Sequence, residues 1–360
     1  MSMPSTEQGV MAAPWLSSAV CGRVASVDVV KLVAMVMVMG LHAVFNHLNP
    51  IYAVSLAAMP LFFIVPGWLQ LPRRVSARYC AVKMLRIIRF YVLMYVGIYV
   101  VRCINSRQWP DMEYFSFLLT TPYEGTGGFW IVGMVFWYLR SMLLVYCVLP
   151  VLSRLYWERP RVFVALTVLL LMVQNAAFAT NVWHMLGADV PCEIEFVQEL
   201  RLWQWLGYFC LGGLLRRYPL RGVRFVHVAL AAVAMYALLL GVDCMIDRPW
   251  LGEYLYGSVV CQAYVVLLFS WITGRERSLP AWGTRLPAVF LFVYVAHWFV
   301  IFALLGPIDA LFAGAGDEMQ ASAAVEAVKD LLRYAGTVAL TVTAGMVVMR
   351  LRWARRIFSM

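Results

Sequence analysis

Lys31 and His42 stand eleven residues apart in the apolar run from Val29 to His42. Eleven steps of about 100° return to within about 20° of the starting direction, so one helical face carries both side chains, about 16 Å apart along the axis. A cation near one end suits an anionic ligand, and an imidazole held deep suits proton transfer or a covalent relay. Arg86 and Arg89 are three apart at the start of another apolar run, where two guanidinium groups are equipped to grip phosphate beside Lys31. Arg140 and His297 each fall well inside a further apolar run. An ionisable group at such depth is costly and points to function; a buried cation there can stabilise a developing oxyanion. Each residue alone has a plainer reading: Lys31 as a snorkelling side chain, Arg86 and Arg89 as surface anchors, His42 and His297 as partners in interhelical hydrogen bonds. The shared face of Lys31 and His42 favours chemistry over these.

The elements that must position these residues follow from composition. With 63% hydrophobic and 13% charged residues, the chain holds more apolar surface than a soluble core can hide. The fold class is all-α, a polytopic integral membrane bundle of about ten transmembrane helices. The spans run approximately 26–46, 51–71, 85–103, 129–152, 161–179, 201–215, 223–242, 252–273, 286–305 and 332–350. The sixth is the shortest. They form one membrane domain over 23–350, between an N-terminal tail, 1–22, and a basic C-terminal tail, 351–360. Residues 1–22 lack the basic segment that opens a signal peptide.

Charge sets the orientation. On the side of the N-terminus lie 22 of the 29 basic residues, whereas the opposite side carries 15 of the 19 acids, including Glu193, Glu195 and Glu199. Basic loops stay in the cytoplasm, so both termini are expected there. The net charge of +10 therefore reports topology, and a nucleic-acid partner is not expected, since no basic stretch is interleaved with stacking aromatics outside the spans. The eight cysteines show no CxxC and no His/Cys cluster at ligand spacing, so no metal is expected. Cys192 and Cys244, both in loops opposite the termini, leave a disulfide open. The longest connections are 104–128, 180–200 and 306–331. The last has a helical pattern across Glu326, Lys329, Asp330 and Arg333 that suggests a helix lying on the surface.

Five stretches of this sequence resemble the acyltransferase 3 family of integral-membrane acyltransferases. Arg23 to Lys31 followed by His42 is similar to the family's basic residue, ten positions and histidine. Met59-Pro60-Leu61-Phe62-Phe63-Ile64-Val65-Pro66-Gly67-Trp68 resembles its apolar Phe-Phe stretch ending in Ser-Gly. Arg86-Ile87-Ile88-Arg89 is like its RxxR motif, Trp137-Tyr138-Leu139 with Tyr146 and Pro150 like its aromatic span, and Tyr294-Val295-Ala296-His297 like its late Tyr-x-x-His. The chain departs from the family at Pro66, where serine is usual, and at Val135, where many members have histidine. Lys31 replaces arginine, which keeps the charge and loses the bidentate fork.

The resemblance implies a membrane O-acyltransferase of the cell inner membrane, with acetyl-CoA as the usual donor and a cell-surface or exported carbohydrate or glycolipid as acceptor. The residues permit that chemistry. Lys31, Arg86 and Arg89 would hold the phosphates of acyl-CoA, His42 would act as general base or acyl relay with His297 as a second candidate, and Arg140 would stabilise the oxyanion. A transporter or flippase of a lipid-linked or glycoconjugate substrate is the alternative that the spans themselves allow; the lack of a pair of Gly/Pro-broken spans in matching halves weakens it.

Overall fold

The computed structural model describes residues 25–106, 130–190, 192, 198–245, 252–275, 289–313 and 322–358. The 1–22 tail, most of the 104–128 connection, and the side chains of Val135, Glu193, Glu195 and Glu199 lie outside them. Twelve helices are described: α1 Ala25–Ala43, α2 Pro50–Ser55, α3 Ala58–Gln70, α4 Ala77–Ser106, α5 Trp130–Glu158, α6 Pro160–Met185, α7 Leu202–Arg217, α8 Phe225–Met245, α9 Val259–Thr273, α10 Phe290–Phe312, α11 Ala323–Val348 and α12 Arg352–Phe358. No strand occurs among the described residues.

Apart from the short α12, each helix falls on one of the ten apolar segments, with α2 and α3 sharing the second. Among the described residues seven stretches, α2 and α3 together counting as one, are long and apolar enough by themselves to cross a bilayer, and α9 is a shorter apolar helix. The protein is a multi-pass helical membrane bundle.

On one helix the inner face is the more polar one. On α6 the buried positions Phe163, Thr167, Gln174 and Asn181 fall on a single line, while Leu169, Met172 and Val173 of the same helix are exposed. Gln174 Nε2 donates to the carbonyls of Gln204 (2.7 Å) and Trp203 (3.2 Å), and its Oε1 accepts from Gln262 Nε2 at 2.9 Å. Asn175 Nδ2 donates to Gln262 Oε1 at 3.1 Å. These amides tie α6 to α7 and α9, where the hydrophobic effect supplies no attraction between helices.

At the centre α3 crosses α7 with backbones in contact. A Cβ on Gly67 would collide with the Phe209 carbonyl oxygen, and one on Gly212 with the Ile64 carbonyl oxygen. The short sixth span is thus an inner helix that is almost wholly buried. We expect Gly67→Val to lower stability by about 3 kcal/mol, since backbone meets backbone and no side chain can yield. Thermal unfolding of the detergent-solubilised variant against the parent measures this.

One question left open is answered and one expectation is corrected. Cys192 and Cys244 are both free; Cys192 is buried with its thiol on Asn181 Oδ1 at 3.4 Å, whereas Cys244 is exposed near the end of α8. The charged pattern from Glu326 to Arg333 forms the first turns of α11 and not a surface helix, with Asp330 0% and Arg333 3% exposed. Their mutual pair at 3.0 Å offsets the cost of burying each charge. Within the basic C-terminal segment, α12 packs Phe358 against Phe90 and Phe292.

Candidate active site

The arginine-rich end of the bundle holds a cavity of about 410 Å³ between α1, α3, α4, α5 and α10. Lys31, Lys83 and Arg86 line it, and no carboxylate does. Its apolar wall includes Phe62, Tyr138, Leu139, Met142 and Phe290.

Lys31 is held by Asp28 one turn earlier at 3.1 Å, so part of its charge is offset, and Lys83 and Arg86 carry the remaining positive field. Lys83 was not foreseen as a ligand residue. Buried Cys80, Ile87 and Phe90 define the inner stripe of α4. Lys83 lies four residues before Ile87 and so about 40° from it, Arg86 about 100° away at the rim, and Arg89 about 160° away. Arg89 is exposed and is not among the lining residues. Lys31 and Arg86 thus line one cavity together with Lys83, and Arg89 lies outside it.

Pro66 accounts for the placing of the inner wall. Proline has no N–H to give the carbonyl four residues earlier, which is that of Phe62. Tyr138 Oη donates to this Phe62 oxygen at 3.3 Å. The departure at Pro66 is thereby converted into a fixed tyrosine on the cavity wall, with Phe62 packed edge-on against Phe290 at 5.1 Å.

Phe290, Tyr294 and His297 follow at i, i+4 and i+7, one face of α10 that climbs about 10 Å from the cavity wall. Tyr138 meets Tyr294 at 5.8 Å between ring centroids. Beyond it His297 stacks on His42 at 5.3 Å, and His42 lies 4.6 Å from the Trp298 ring. The two histidines, 255 positions apart in sequence, thus form one pair. His297 is 1% exposed. Its Nδ1 is 3.0 Å from the Val293 carbonyl oxygen, which can only accept, so Nδ1 carries the proton and Nε2 of the neutral ring presents a bare lone pair. That Nε2 is buried and has no hydrogen-bond partner. It is a base in waiting.

Arg140 sits on α5 two residues past Tyr138, on the side turned away from the cavity. It has partners of its own. At the far end of α1, Asp330 accepts from the backbone N–H groups of Phe45 (3.0 Å) and Asn46 (3.1 Å). Val44, the first amide beyond the helix that carries His42, donates to the Gly40 carbonyl at 3.3 Å; Phe45 and Asn46 follow it, and nothing in the local sequence pairs them with a residue near position 330.

Residues 24–350 match a family described as an acyltransferase domain. No curated protein and no solved structure matches the chain.

Proposed function

This chain belongs to the acyltransferase 3 family of membrane acyltransferases, and we propose that it moves an acyl group, acetyl foremost, from cytoplasmic acyl-CoA to a hydroxyl of a cell-surface or exported carbohydrate. The observation that supports this reading most is the cavity with cations at its mouth and an aromatic wall that leads to a buried histidine pair. Three positive side chains without a lining carboxylate suit a polyphosphorylated donor. The arginine-rich end faces the cytoplasm of the inner membrane under the positive-inside rule, which is where acyl-CoA is made available. Lys31 and His42 are about 16 Å apart, a gap for an extended pantetheine arm.

The reaction is an acyl transfer between oxygen and sulfur. The acceptor hydroxyl attacks the thioester carbonyl while a histidine Nε2 takes its proton. The tetrahedral intermediate then collapses, the carbon–sulfur bond breaks, and the CoA thiolate leaves and recovers the proton from the imidazolium. Arg140, on the opposite side of α5 from the cavity, is left with a long-range part in that step: a cation inside the bundle favours negative charge on the thioester oxygen. A covalent acyl-histidine relay uses the same two rings.

Donor binding tests the cavity. Lys83→Ala and Arg86→Ala should each weaken acetyl-CoA affinity about tenfold, the worth of one charge-assisted contact, whereas Arg89→Ala should leave it unchanged. Calorimetric titration of the purified variants reads this, and parent-like affinity in both Lys83→Ala and Arg86→Ala would remove the donor from this cavity. Mass spectrometry of envelope glycans from a deletion strain tests the acceptor: a lost acyl mass identifies it, and an unaltered glycan profile argues against a carbohydrate.

A further inference from the structure

A second cavity, of about 600 Å³, lies on the other side of α3 from the first. It is framed by Trp68, the connection from α7 to α8, and the end of α9, and is lined by Arg216, Arg221 and Arg275 with no carboxylate among the described residues. Trp68 is two residues past Pro66 and so about 160° around α3 from it, which separates this space from the donor cavity. We propose that it binds the phosphate of an anionic phospholipid.

Two of the arginines lie over aromatic rings. The Arg216 guanidinium lies 4.1 Å from the centre of the Trp68 ring, and that of Arg275 lies 5.0 Å from Trp271. Stacking fixes the guanidinium plane while leaving its N–H edge free to grip an oxyanion. Among the described residues none of Arg216, Arg221 and Arg275 is paired with a carboxylate. The C-termini of α7 and α9 end here, and each brings about half a negative charge. Three full positive charges outweigh both and leave the site in need of an anion.

The apolar surroundings select the kind of anion. Leu215, Leu220, Val223 and Phe269 line the same space, and Leu220, Phe225 and Val226 beside it are exposed. A soluble phosphate would leave this surface bare, whereas a phospholipid lays its acyl chains along it with the headgroup at the arginines. Basic pockets between spans at the arginine-rich membrane surface are suited to such headgroups.

The test compares phosphatidylglycerol with phosphatidylcholine by native mass spectrometry of the purified full chain in mixed micelles. The parent should retain phosphatidylglycerol preferentially. At about fivefold per arginine, Arg216→Gln with Arg275→Gln should reduce that preference more than tenfold. Thermal unfolding in phosphatidylcholine alone checks that the double variant is folded; where it is not, Arg221→Gln, at an exposed position, should by itself reduce the preference about fivefold. Equal retention of the two lipids by the parent, or an undiminished preference in the folded variants, would overturn the proposal. So would stabilisation by inorganic phosphate equal to that by phosphatidylglycerol, which would make the ligand a free anion. Acetyl-CoA titration of the same variants should be unchanged, which keeps this result separate from the fate of the donor cavity.

Discussion

His42→Ala and His297→Ala should each lower the rate of acyl transfer by about 10²- to 10⁴-fold, the range that general-base catalysis supplies, while acetyl-CoA affinity stays within about twofold, since Lys31, among the cations proposed to hold the phosphates, lies about 16 Å along α1 from His42. Glutamine separates proton transfer from packing. It can donate and accept hydrogen bonds but cannot take a proton near neutral pH. His297→Gln should therefore be nearly as inactive as the alanine variant if Nε2 is the base, whereas a ring that only packs against His42 would tolerate the amide. The measurement is single-turnover release of CoA thiol in the presence of acceptor, with donor affinity titrated on the same preparations. Well-folded His42→Ala and His297→Ala proteins that both transfer at the parent rate would place the chemistry elsewhere and leave the cavity as a donor-binding feature alone.

The helices were legible because a bilayer imposes a length on every span, and stretches of about 20 apolar residues satisfy it whatever their packing. The face shared by Lys31 and His42 was legible for a related reason, since both belong to one helix and eleven residues nearly complete three turns. Arg89 was assigned to the site because spacing gives neighbours on a helix without saying which side turns inward. The stripe of Cys80, Ile87 and Phe90, which makes Lys83 the inward cation, does not stand out in the sequence, because Val82, Leu85 and Ile88 on the exposed side are equally apolar. The contact of His42 with His297 joins α1 to α10, so no periodicity within either helix contains it. Pro66 could be read as a departure from the family, but not that the carbonyl it frees is taken by Tyr138 from a different helix.

Asp330 is the second position where a large effect is expected, and it tests how His42 is held. α1 ends at Ala43 inside the bundle, where unpaired backbone groups are costly because water does not replace the missing partner. The Asp330 carboxylate supplies that partner for Phe45 and Asn46, and also binds Arg333 Nη1 at 3.0 Å. Asp330→Leu strands a buried guanidinium and two amides together, so stability should fall by about 3–5 kcal/mol. Glu326, 3.4 Å from Arg333 Nη2, remains as a weaker partner and favours the lower end of that range. Adding Arg333→Met removes the stranded charge and should recover part of the loss, leaving about 1–3 kcal/mol from the two amides. Transfer should not recover in the double variant, because the segment just past His42 is still unanchored, while donor affinity should remain near the parent's. Thermal unfolding and turnover measured on the parent, single and double variants distinguish the contributions. Parent-like stability in Asp330→Leu would show that water or another group satisfies the end of α1, and full turnover in the folded double variant would show that His42 keeps its place without this anchor.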